Sequence, residues 1–498
     1  MSKKTSKLPT ACGPILTIRG DASREGGTGH IMRSLALAQE WIKRGGHCHY
    51  LCAPLPEALE SRLKNEGCEI TILNSEPGST ADAHETSAFV ETHKSHWLHL
   101  DGYHLAQQYQ KSLTLPERTR LAVMSDFGDD DFLSPDRVIH ANLQQTASYG
   151  EKIAAKNFLT GPNFILLRQE LIRKSAPLPP PARAEKLLIS MGGGDHLEAA
   201  HVILEHLDLA SLSCRVILGP AYPADGTLRK FSHPSVQFIQ SPESLAPHYE
   251  WADSAITTPS TTALEMIHHG LVIGLITVAD NQTDILAAAL KHSAGLALAD
   301  LRNNREIDTS SLDCLINDSD ERLKLSASAS RLIDGHGAGQ VCDSLGLPDI
   351  HLRSAELPDA ERLFLWANEP TTRAASFQSD PIPWESHLAW FTASLSNSAR
   401  TIWIIQTSQE IPLGQCRFDE ESLHEFVISI SLSPETRGKG LAALVITRAC
   451  SKFIATHPEA RITAWIKNSN RASLRAFERA GFHIADGDHP ADRSMMRL

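Results

Sequence analysis

A histidine follows a glycine-rich turn near the start of the chain. Residues 26–30 come after an apolar run at 15–19 and before residues 31–44, where apolar positions recur at helical spacing. A strand, a glycine turn and a helix together present backbone N–H groups to an anion. The positive end of the helix dipole disfavours a charged imidazole, so the sequence predicts a neutral His30 that can accept a proton. An isolated turn histidine is more often structural, and the surrounding residues decide between the two interpretations.

Two later segments repeat this arrangement. An apolar run at 187–191 precedes Gly193 and Gly194, and an alternating strand at 426–432 precedes the glycine-containing residues 437–442. Bare backbone amides at the start of a helix suit a diphosphate. Because tight turning alone also favours glycine, neither turn identifies its ligand without further support.

The first segment resembles a known family. Residues 19–23, 27–33 and 35–38 are similar to the opening of the UDP-sugar hydrolases of the pseudaminic acid pathway. Those enzymes remove UDP from a 2,4-diacetamido-2,4,6-trideoxy-altropyranose. The resemblance implies that His30 is the catalytic base and that Gly29 beside it contacts the substrate.

Three further positions match the same family. Asp101 and Tyr103 close the predicted strand at 97–103, and Arg168 ends the matching segment 161–168. The resemblance implies that Asp101 and Tyr103 face the sugar and that Arg168 contacts the substrate. Capping of a strand end is the alternative role for Asp101 and Tyr103.

The second glycine turn is followed by residues that suit a nucleotide. In families with two facing nucleotide-sugar lobes, a glutamate like Glu265 holds the ribose hydroxyls of UDP, and a pair like Asn281 and Gln282 lies near the diphosphate and sugar. A carboxylate accepts from two vicinal hydroxyls, and an amide serves mixed donors and acceptors. The expected arrangement is two Rossmann-like lobes of glycosyltransferase-B type, with UDP bound between them.

The last third of the chain resembles a second family, the GCN5-related N-acetyltransferases. Residues 468–473 and 477–482 are similar to that family's closing motif, and the segments around 366–373 and 387–391 resemble the subgroup that acetylates the 4-amino group of UDP-sugars. The resemblance implies that acetyl-CoA is the co-substrate. It assigns binding of coenzyme A to Arg437, Gly438, Lys439, Gly440, Ala442, Asn470 and Ser473.

The chemistry of acetyl transfer leaves two roles open. A bulged strand near residues 428–430 is expected to supply amides that polarise the thioester. Many relatives have a tyrosine acid where this chain has Phe477. The acid is then water, or the thiolate leaves unprotonated, or the domain is impaired. Glu420, Glu421 and Glu425 could act as base, although surface charge is the commoner role of such residues.

The domain organisation follows from these motifs. We expect a disordered N-terminus at 1–13, an N-terminal Rossmann-like lobe at 14–176 and a UDP-binding lobe at 177–345. The proline-rich stretch within 177–181 is a stiff spacer. A linker at 346–349 leads to an α+β acetyltransferase domain at 350–498.

The composition limits the classes of partner that we expect for this protein. The net charge of −12 argues against nucleic acid, because phosphate backbones demand a basic footprint. No apolar run is long enough for a membrane span, and the nine cysteines contain no CxxC pair, so we expect a cytoplasmic protein with reduced thiols. The clustered histidines His93, His96, His99 and His104 lack cysteine or carboxylate partners at ligand spacing, so no metal is expected.

These features predict a bifunctional enzyme of pseudaminic acid biosynthesis. It would acetylate the 4-amino group of a UDP-amino sugar and then hydrolyse the UDP-2,4-diacetamido sugar, with His30 activating water and the anomeric centre inverting. One alternative is a glycosyltransferase, or a hydrolase of a related UDP-diacetamido sugar. Another is a nucleotide-sugar-binding scaffold with a degenerate acetyltransferase.

Overall fold

The structure is a computed structural model that describes residues 13–22, 28–126, 135–144, 157–192, 197–219, 233–302, 306–485 and 490–498. The predicted disordered N-terminus at 1–13 lies outside these residues except for Gly13. The chain divides into two compact units. One comprises Ile15–Lys43 with Cys48–Leu345, and the other is built on Gly346–Leu498.

The first lobe is built on a seven-stranded sheet. All neighbouring strands pair in parallel where the register is described, in the order β3-β2-β1-β4-β5-β6-β7. The strands are β1 (Ile15–Gly20), β2 (His47–Cys52), β3 (Glu69–Ile72), β4 (Trp97–Asp101), β5 (Arg120–Met124), β6 (Arg137–His140) and β7 (Phe158–Thr160). Its helices are α1 (Gly29–Lys43), α2 (Glu57–Asn65), α3 (Thr80–Thr92) and α4 (Gln107–Ser112).

The second lobe repeats this plan with six parallel strands in the order β10-β9-β8-β11-β12-β13. These strands are β8 (Lys186–Ser190), β9 (Ser213–Leu218), β10 (Val236–Gln240), β11 (Ser254–Thr257), β12 (Val272–Thr277) and β13 (Leu296–Asp300). Its helices are α5 (Leu197–Glu205), α6 (Ala246–Trp251), α7 (Thr261–His268), α8 (Thr283–Lys291), α9 (Thr309–Asn317), α10 (Ser319–Leu332) and α11 (Gly337–Ser344).

In both lobes the strand order reverses beside the first strand. This reversal lies between β1 and β4 in one lobe and between β8 and β11 in the other. A doubly wound sheet opens a crevice outside the carboxyl ends of the strands at that point, and ligands bind there. The strands β1 and β8, which precede the predicted glycine turns in the sequence, therefore end at these crevices.

Burial explains why these strands are so apolar. Every residue of β12 is buried, and the strand lies inside the longest apolar run of the sequence. A strand covered by helices on both faces needs a continuous apolar run rather than alternation. Among the described residues, no helix combines the length and the apolar character needed to cross a bilayer. The described cysteines carry free thiols.

The C-terminal unit has a mixed seven-stranded sheet in the order β14-β15-β16-β17-β18-β20-β19. The strands are β14 (Ile350–Ser354), β15 (Arg400–Thr407), β16 (Pro412–Ser422), β17 (Glu425–Leu432), β18 (Arg461–Lys467), β19 (His483–Ile484) and β20 (Arg493–Arg497). The helices are α12 (Ala360–Asn368), α13 (Pro370–Ala375), α14 (Trp384–Leu395), α15 (Leu441–Thr456) and α16 (Arg471–Arg479).

The two faces of this sheet carry different helices. Phe391 of α14 packs with Ile402 and Ile404 of β15 on one face. On the other face Phe418 of β16 stacks on Phe453 of α15, with ring centroids 4.1 Å apart. Side chains alternate along each strand, so neighbouring residues of β16 serve opposite faces.

The sheet opens between its two central parallel strands. β17 and β18 pair only through Glu425, Phe426 and Val427 of β17, although β17 continues to Leu432. Beyond Val427, β17 keeps its pairing with β16 alone. The carboxyl half of β17 therefore lines a gap between the two strands.

Candidate functional sites

The first turns of α1 converge on one buried carboxylate. Asp101, the last residue of β4, is fully buried. His30 Nδ1 lies 2.8 Å from its Oδ1, and the Ser34 hydroxyl donates to Oδ2 at 2.7 Å. Arg33 Nε also donates to Oδ2, at 2.8 Å. Positions 30, 33 and 34 share one face of the helix, which explains how all three side chains reach the same residue at the end of β4.

This contact sets the tautomer of His30. A carboxylate only accepts, so Nδ1 carries the proton and Nε2 keeps its lone pair. Arg33 Nη2 is also 3.0 Å from Nδ1, because both groups crowd around the same carboxylate oxygen. The side chain of His30 is 15% exposed, so the ring is not sealed in the core. Such a ring can take a proton from water at Nε2.

Arg33 joins Asp101 to a second carboxylate. Its Nη1 donates to Asp126, which follows β5. Burial alone would raise the pKa of Asp101, but the Arg33 charge and the hydrogen bonds from Arg33 and His30 outweigh burial and hold that pKa well below its usual range. Asp101 is therefore a fixed negative charge under the imidazole.

The position of Asp101 corrects its predicted role. We expected its carboxylate to face the sugar, but the three contacts from α1 occupy it and no part of it is exposed. Alternate residues of a strand lie on the same face of the sheet, and Asp101 lies on the face that α1 covers.

Tyr103 connects His30 to the second lobe. Its ring meets the imidazole edge to face, with centroids 4.9 Å apart, and the side chain is about half exposed. The amide of Asn281, just after β12, donates to the Tyr103 hydroxyl at 3.3 Å. Burial raises the pKa of Tyr103 to about 12, so its hydroxyl stays protonated at neutral pH. The structure thus gathers His30, Tyr103 and Asn281 from the two lobes.

Arg168 and Glu265 also meet across the lobes. Arg168 Nη2 donates to Glu265 Oε1 at 3.0 Å, and the Tyr249 hydroxyl donates to Oε2 at 2.7 Å. Burial and the neighbouring Glu265 charge raise the pKa of Tyr249 well above its usual range. Both oxygens of Glu265 therefore have a partner already. A ribose would add hydrogen bonds to the remaining lone pairs or displace one of these donors.

Gln282 has a structural role that differs from its predicted one. Its side chain is buried, and its amide oxygen accepts from the backbone N–H of Val278 at 2.8 Å and of Ala279 at 3.3 Å. It therefore caps the turn after β12 instead of facing the diphosphate. Gly193 and Gly194 lie outside the described residues. Gly29 is the first residue of α1, and a Cβ there would meet no atom within 4 Å.

The clustered histidines have separate environments. His93 stacks on Phe89 with centroids 3.7 Å apart, and His104 Nε2 lies 2.7 Å from Asp21. His99 is fully buried, and burial lowers its pKa to about 4. In the described parts of the chain, no three histidine, cysteine or acidic side chains gather as metal ligands would.

In the C-terminal unit, the predicted coenzyme A loop joins β17 to α15. Gly438 and Gly440 both have a φ of 77°, and Gly440 directly precedes α15. A Cβ at either position would meet no atom within 4 Å, so the loop borders open space. Left-handed glycines ahead of a 16-residue helix leave backbone N–H groups turned toward an anion. Lys439 and Ala442 lie on the same loop and first turn.

The side chain of Arg437 does not extend into that space. Its Nη1 donates to Glu369 Oε2 at 2.6 Å, its Nη2 donates to the Thr372 hydroxyl at 2.7 Å, and its Nε donates to the Leu432 carbonyl at 3.0 Å. Glu369 itself caps α13. Arg437 therefore holds the loop in position, and the backbone of the loop is what faces a ligand.

Asn470 and Ser473 lie at the start of α16. The Asn470 side chain accepts from the Ser473 N–H at 3.1 Å, which is a helix N-cap. Phe477 on the same helix is buried and packs edge to face on Phe482, with centroids 4.9 Å apart. The last of the six tyrosines in the sequence is Tyr249, so no tyrosine of this unit can replace the missing hydroxyl.

The gap between β17 and β18 takes the place of a bulge that we expected in β17. We predicted a bulge near residues 428–430, but the ladder between β16 and β17 is regular there, and its irregularity lies between Glu420 and Ser422. The amides of this stretch become accessible because β18 diverges from β17. Glu420 and Glu421 are exposed near the β16–β17 turn, and Glu425 accepts from Arg461, which fits surface charge.

Sequence reasoning missed some members of these sites. Arg33 and Ser34 complete the shell around Asp101, and their spacing of three and four residues from His30 was the available signal. The contacts of Asp126 with Arg33 and of Glu369 with Arg437 were not predicted, because only the tertiary fold brings these residues together.

Comparison with known proteins identifies the C-terminal unit. The acetyltransferase (GNAT) domain family matches residues 349–483. The spermidine N-acetyltransferase of Vibrio cholerae, solved with CoA and spermine, is 18% identical over 30% of this chain and 93% of its own, with a TM-score of 0.27. A domain from Methanocaldococcus jannaschii is 20% identical over 30% of this chain and 98% of its own, with a TM-score of 0.28.

No curated protein matches the chain. The family match and the motifs of the loop after β17 agree on the same segment of the chain. Residues 349–483 thus match a GNAT-type acetyltransferase domain, and acetyl-CoA is the co-substrate of that domain.

Proposed function

We propose that the chain catalyses two consecutive steps of pseudaminic acid biosynthesis. The GNAT domain acetylates the 4-amino group of a UDP-4-amino sugar. The two Rossmann-like lobes, acting as a glycosyltransferase-B-type pair, then hydrolyse UDP-2,4-diacetamido-2,4,6-trideoxy-β-L-altropyranose to UDP and the free sugar. The observation that carries the hydrolase half is the contact of His30 with the buried Asp101 beside Tyr103 and Asn281.

The hydrolytic step needs a base more than an acid. UDP is a good leaving group, so the bond from C1 to the UDP oxygen can break without protonation of that oxygen. The oxygen of a water attacks C1 from the opposite face, and one water proton passes to His30 Nε2. Asp101 stabilises the imidazolium that results, and the product has inverted configuration at C1.

The second lobe supports this role through its polar residues. Arg168, Glu265 and Asn281 follow the pattern of a UDP site, and β8 ends at the strand-order reversal. Asn281 is within reach of a ligand that contacts Tyr103. These residues hold the nucleotide while His30 activates the water.

Acetyl transfer proceeds in the gap between β17 and β18. The amine nitrogen attacks the thioester carbonyl, the carbon–sulfur bond breaks, and the freed amides of β17 stabilise the oxyanion. Because Phe477 has no acidic proton, the thiolate leaves unprotonated or takes a proton from water. The amine loses its proton to solvent.

The two activities are tested together with one set of substrates. The full chain is incubated with UDP-2,4-diacetamido-2,4,6-trideoxy-β-L-altropyranose alone, and NMR follows UDP release and the configuration of the free sugar. UDP release without an acceptor supports the hydrolase, and no release without an added acceptor sugar supports a glycosyltransferase. Transfer of labelled acetyl from acetyl-CoA to the UDP-4-amino sugar tests the other half. Failure of both reactions would leave a binding scaffold.

A further inference from the structure

Trp390 of the GNAT domain lies beside two arginines, Arg400 and Arg417, on a surface to which no role has been assigned. The Cζ atoms of Arg400 and Arg417 lie 5.5 and 5.4 Å from the ring centroid of Trp390 on α14. Both guanidinium groups also contact Asp419, so two positive charges meet one negative charge here. A guanidinium against an indole ring is held in a defined orientation.

The two arginines differ in how many of their N–H donors already have a hydrogen-bond partner. Arg400 donates to Asp419 and, through Nη1, to the Ser394 hydroxyl at 2.8 Å. Arg417 Nε lies 2.7 Å from Asp419 Oδ2, but its N–H does not point along that line, so the contact is an ion pair rather than a hydrogen bond. Within the described residues, the terminal amino groups of Arg417 donate to no side chain or carbonyl. The side chain is 28% exposed.

Strand alternation puts Arg417 on the α14 face of the sheet. Directly opposite residues of antiparallel strands share a face, and Arg417 pairs with Ile402 of β15, which packs in the core under α14. On the other side Arg417 pairs with Ser429 of β17. Ser429 lies two residues beyond the last pairing of β17 with β18. Arg417 is therefore one strand spacing, about 5 Å, from the part of β17 that lines the gap where the acetyl group must sit.

The phosphates of coenzyme A already have a site elsewhere in the domain. The loop with Gly438 and Gly440 begins α15, which packs on the opposite face of the sheet from α14. An anion that approaches Arg417 thus belongs to the acceptor. In a UDP-4-amino sugar, the reacting amine on C4 and the diphosphate on C1 lie across one pyranose ring, a separation comparable to one strand spacing.

We propose that Arg417 is the binding residue for the diphosphate of the acceptor, with Trp390 and Asp419 as positioning residues that hold its guanidinium. This inference rests on the proposed function, because it takes the acceptor to be a nucleoside diphosphate sugar. A planar guanidinium fork binds phosphate oxygens in a bidentate manner, which a lysine cannot reproduce. The site selects UDP-linked amines over free amines.

The test compares two acceptors in the full chain: the UDP-4-amino sugar and the same amino sugar without UDP. In Arg417→Gln, KM for the UDP-linked acceptor rises about tenfold or more, because a charge-assisted contact is lost. KM for acetyl-CoA and turnover of the free amino sugar stay within about twofold, since neither uses that contact. Arg417→Lys recovers part of the loss. Arg461→Gln, which removes a 72% exposed guanidinium from the same sheet, is the matched control and behaves like the native protein.

The outcomes separate the two proposals. If the native chain acetylates the UDP-linked acceptor and Arg417→Gln does so with unchanged KM, the diphosphate site is wrong and the proposed function stands. If the native chain acetylates the free amino sugar as efficiently as the UDP-linked one, the diphosphate site is again wrong. If neither acceptor is acetylated, the proposed function fails and the diphosphate site fails with it. A lower melting temperature with unchanged KM in Arg417→Gln would assign Arg417 a structural role only.

Discussion

At the scale of single residues, the proposed hydrolase centre depends on one imidazole held against one buried carboxylate. Asp101 receives a contact from each of three residues on one face of α1, and burial prevents water from competing for it. Its carboxylate therefore orients His30 and Arg33 more strictly than a surface carboxylate could.

Replacement of His30 separates the two activities. His30→Ala lowers the rate of UDP release by about 10²- to 10⁴-fold, the usual contribution of a general base, and leaves acetyl transfer unchanged. UDP release followed by NMR and thiol release from acetyl-CoA measure the two rates. His93→Ala removes a histidine that stacks on Phe89 on the surface, and it retains both activities. Native rates of UDP release in His30→Ala would refute the base assignment.

Asp101→Asn tests whether the charge beneath His30 matters. The amide keeps the shape but no longer stabilises the imidazolium that forms as water is activated, so the rate of UDP release falls by about 10²- to 10⁴-fold. The buried Arg33 also loses a counter-charge, and stability falls by about 3–5 kcal/mol. The rate of UDP release, measured at a temperature where the variant is folded, and a thermal melt distinguish these effects. A native rate of UDP release in the folded variant would show that Asp101 has only a structural role.

At the scale of elements, both kinds of site lie where a strand ends and a helix begins. In the first unit α1 starts beside the reversal of strand order, and in the GNAT domain α15 starts beside the gap between β17 and β18. A helix N-terminus attracts anions, and the open end of a sheet leaves room for them. At the junction before α15, Gly438 and Gly440 have left-handed backbone conformations that favour glycine.

Alanine at the loop glycines tests this requirement. Gly438 and Gly440 have left-handed φ values, so Gly438→Ala or Gly440→Ala costs about 1–2 kcal/mol of stability and displaces the loop. KM for acetyl-CoA rises by roughly an order of magnitude if the amides bind its phosphates. Gly346→Ala is the matched control, because Gly346 has a φ of 83° and the same open surroundings. It loses stability but keeps the native KM, and an equal rise in KM would argue against a specific role of the loop.

At the scale of the whole molecule, each of the two proposed functions is assigned to one of the two compact units. Both Rossmann-like lobes lie within one unit, where Tyr103 and Asn281 join them, and the acetyltransferase elements lie in the other. Domains with their own cores unfold as separate transitions. Stability must therefore be measured one unit at a time.

The buried His99 makes the first unit sensitive to acid. Its pKa is about 4 in the folded state and 6.5 when exposed, so the unfolded chain binds the proton more readily. The stability is fully present above pH 6.5 and declines as pH falls toward 4, by up to about 3 kcal/mol. Calorimetry from pH 7.5 to 4.5 measures this decline. In His99→Phe the first unit loses less stability over this interval than the native unit, and equal losses in both proteins would refute the role of His99.

The sequence by itself determined the local chemistry of this protein. Short stretches of sequence encode the strand before His30, the helix that contains it, the loop at 437–442 and the boundary near residue 346. Dihedral preference and hydrophobic period act over a few residues, so such stretches are enough to predict these features. Short strands such as β6 and β7 lack that signal, since three or four residues show no period.

Only the tertiary structure decided which partner each polar group meets. It buried Asp101 under α1, turned Gln282 onto its own backbone and replaced an expected bulge by the divergence of β17 and β18. Contacts such as those of Arg33 with Asp126 or Arg437 with Glu369 span 93 and 68 residues. No local preference can encode a contact between residues so far apart in the sequence. The packing of whole sheets and helices brings these groups together.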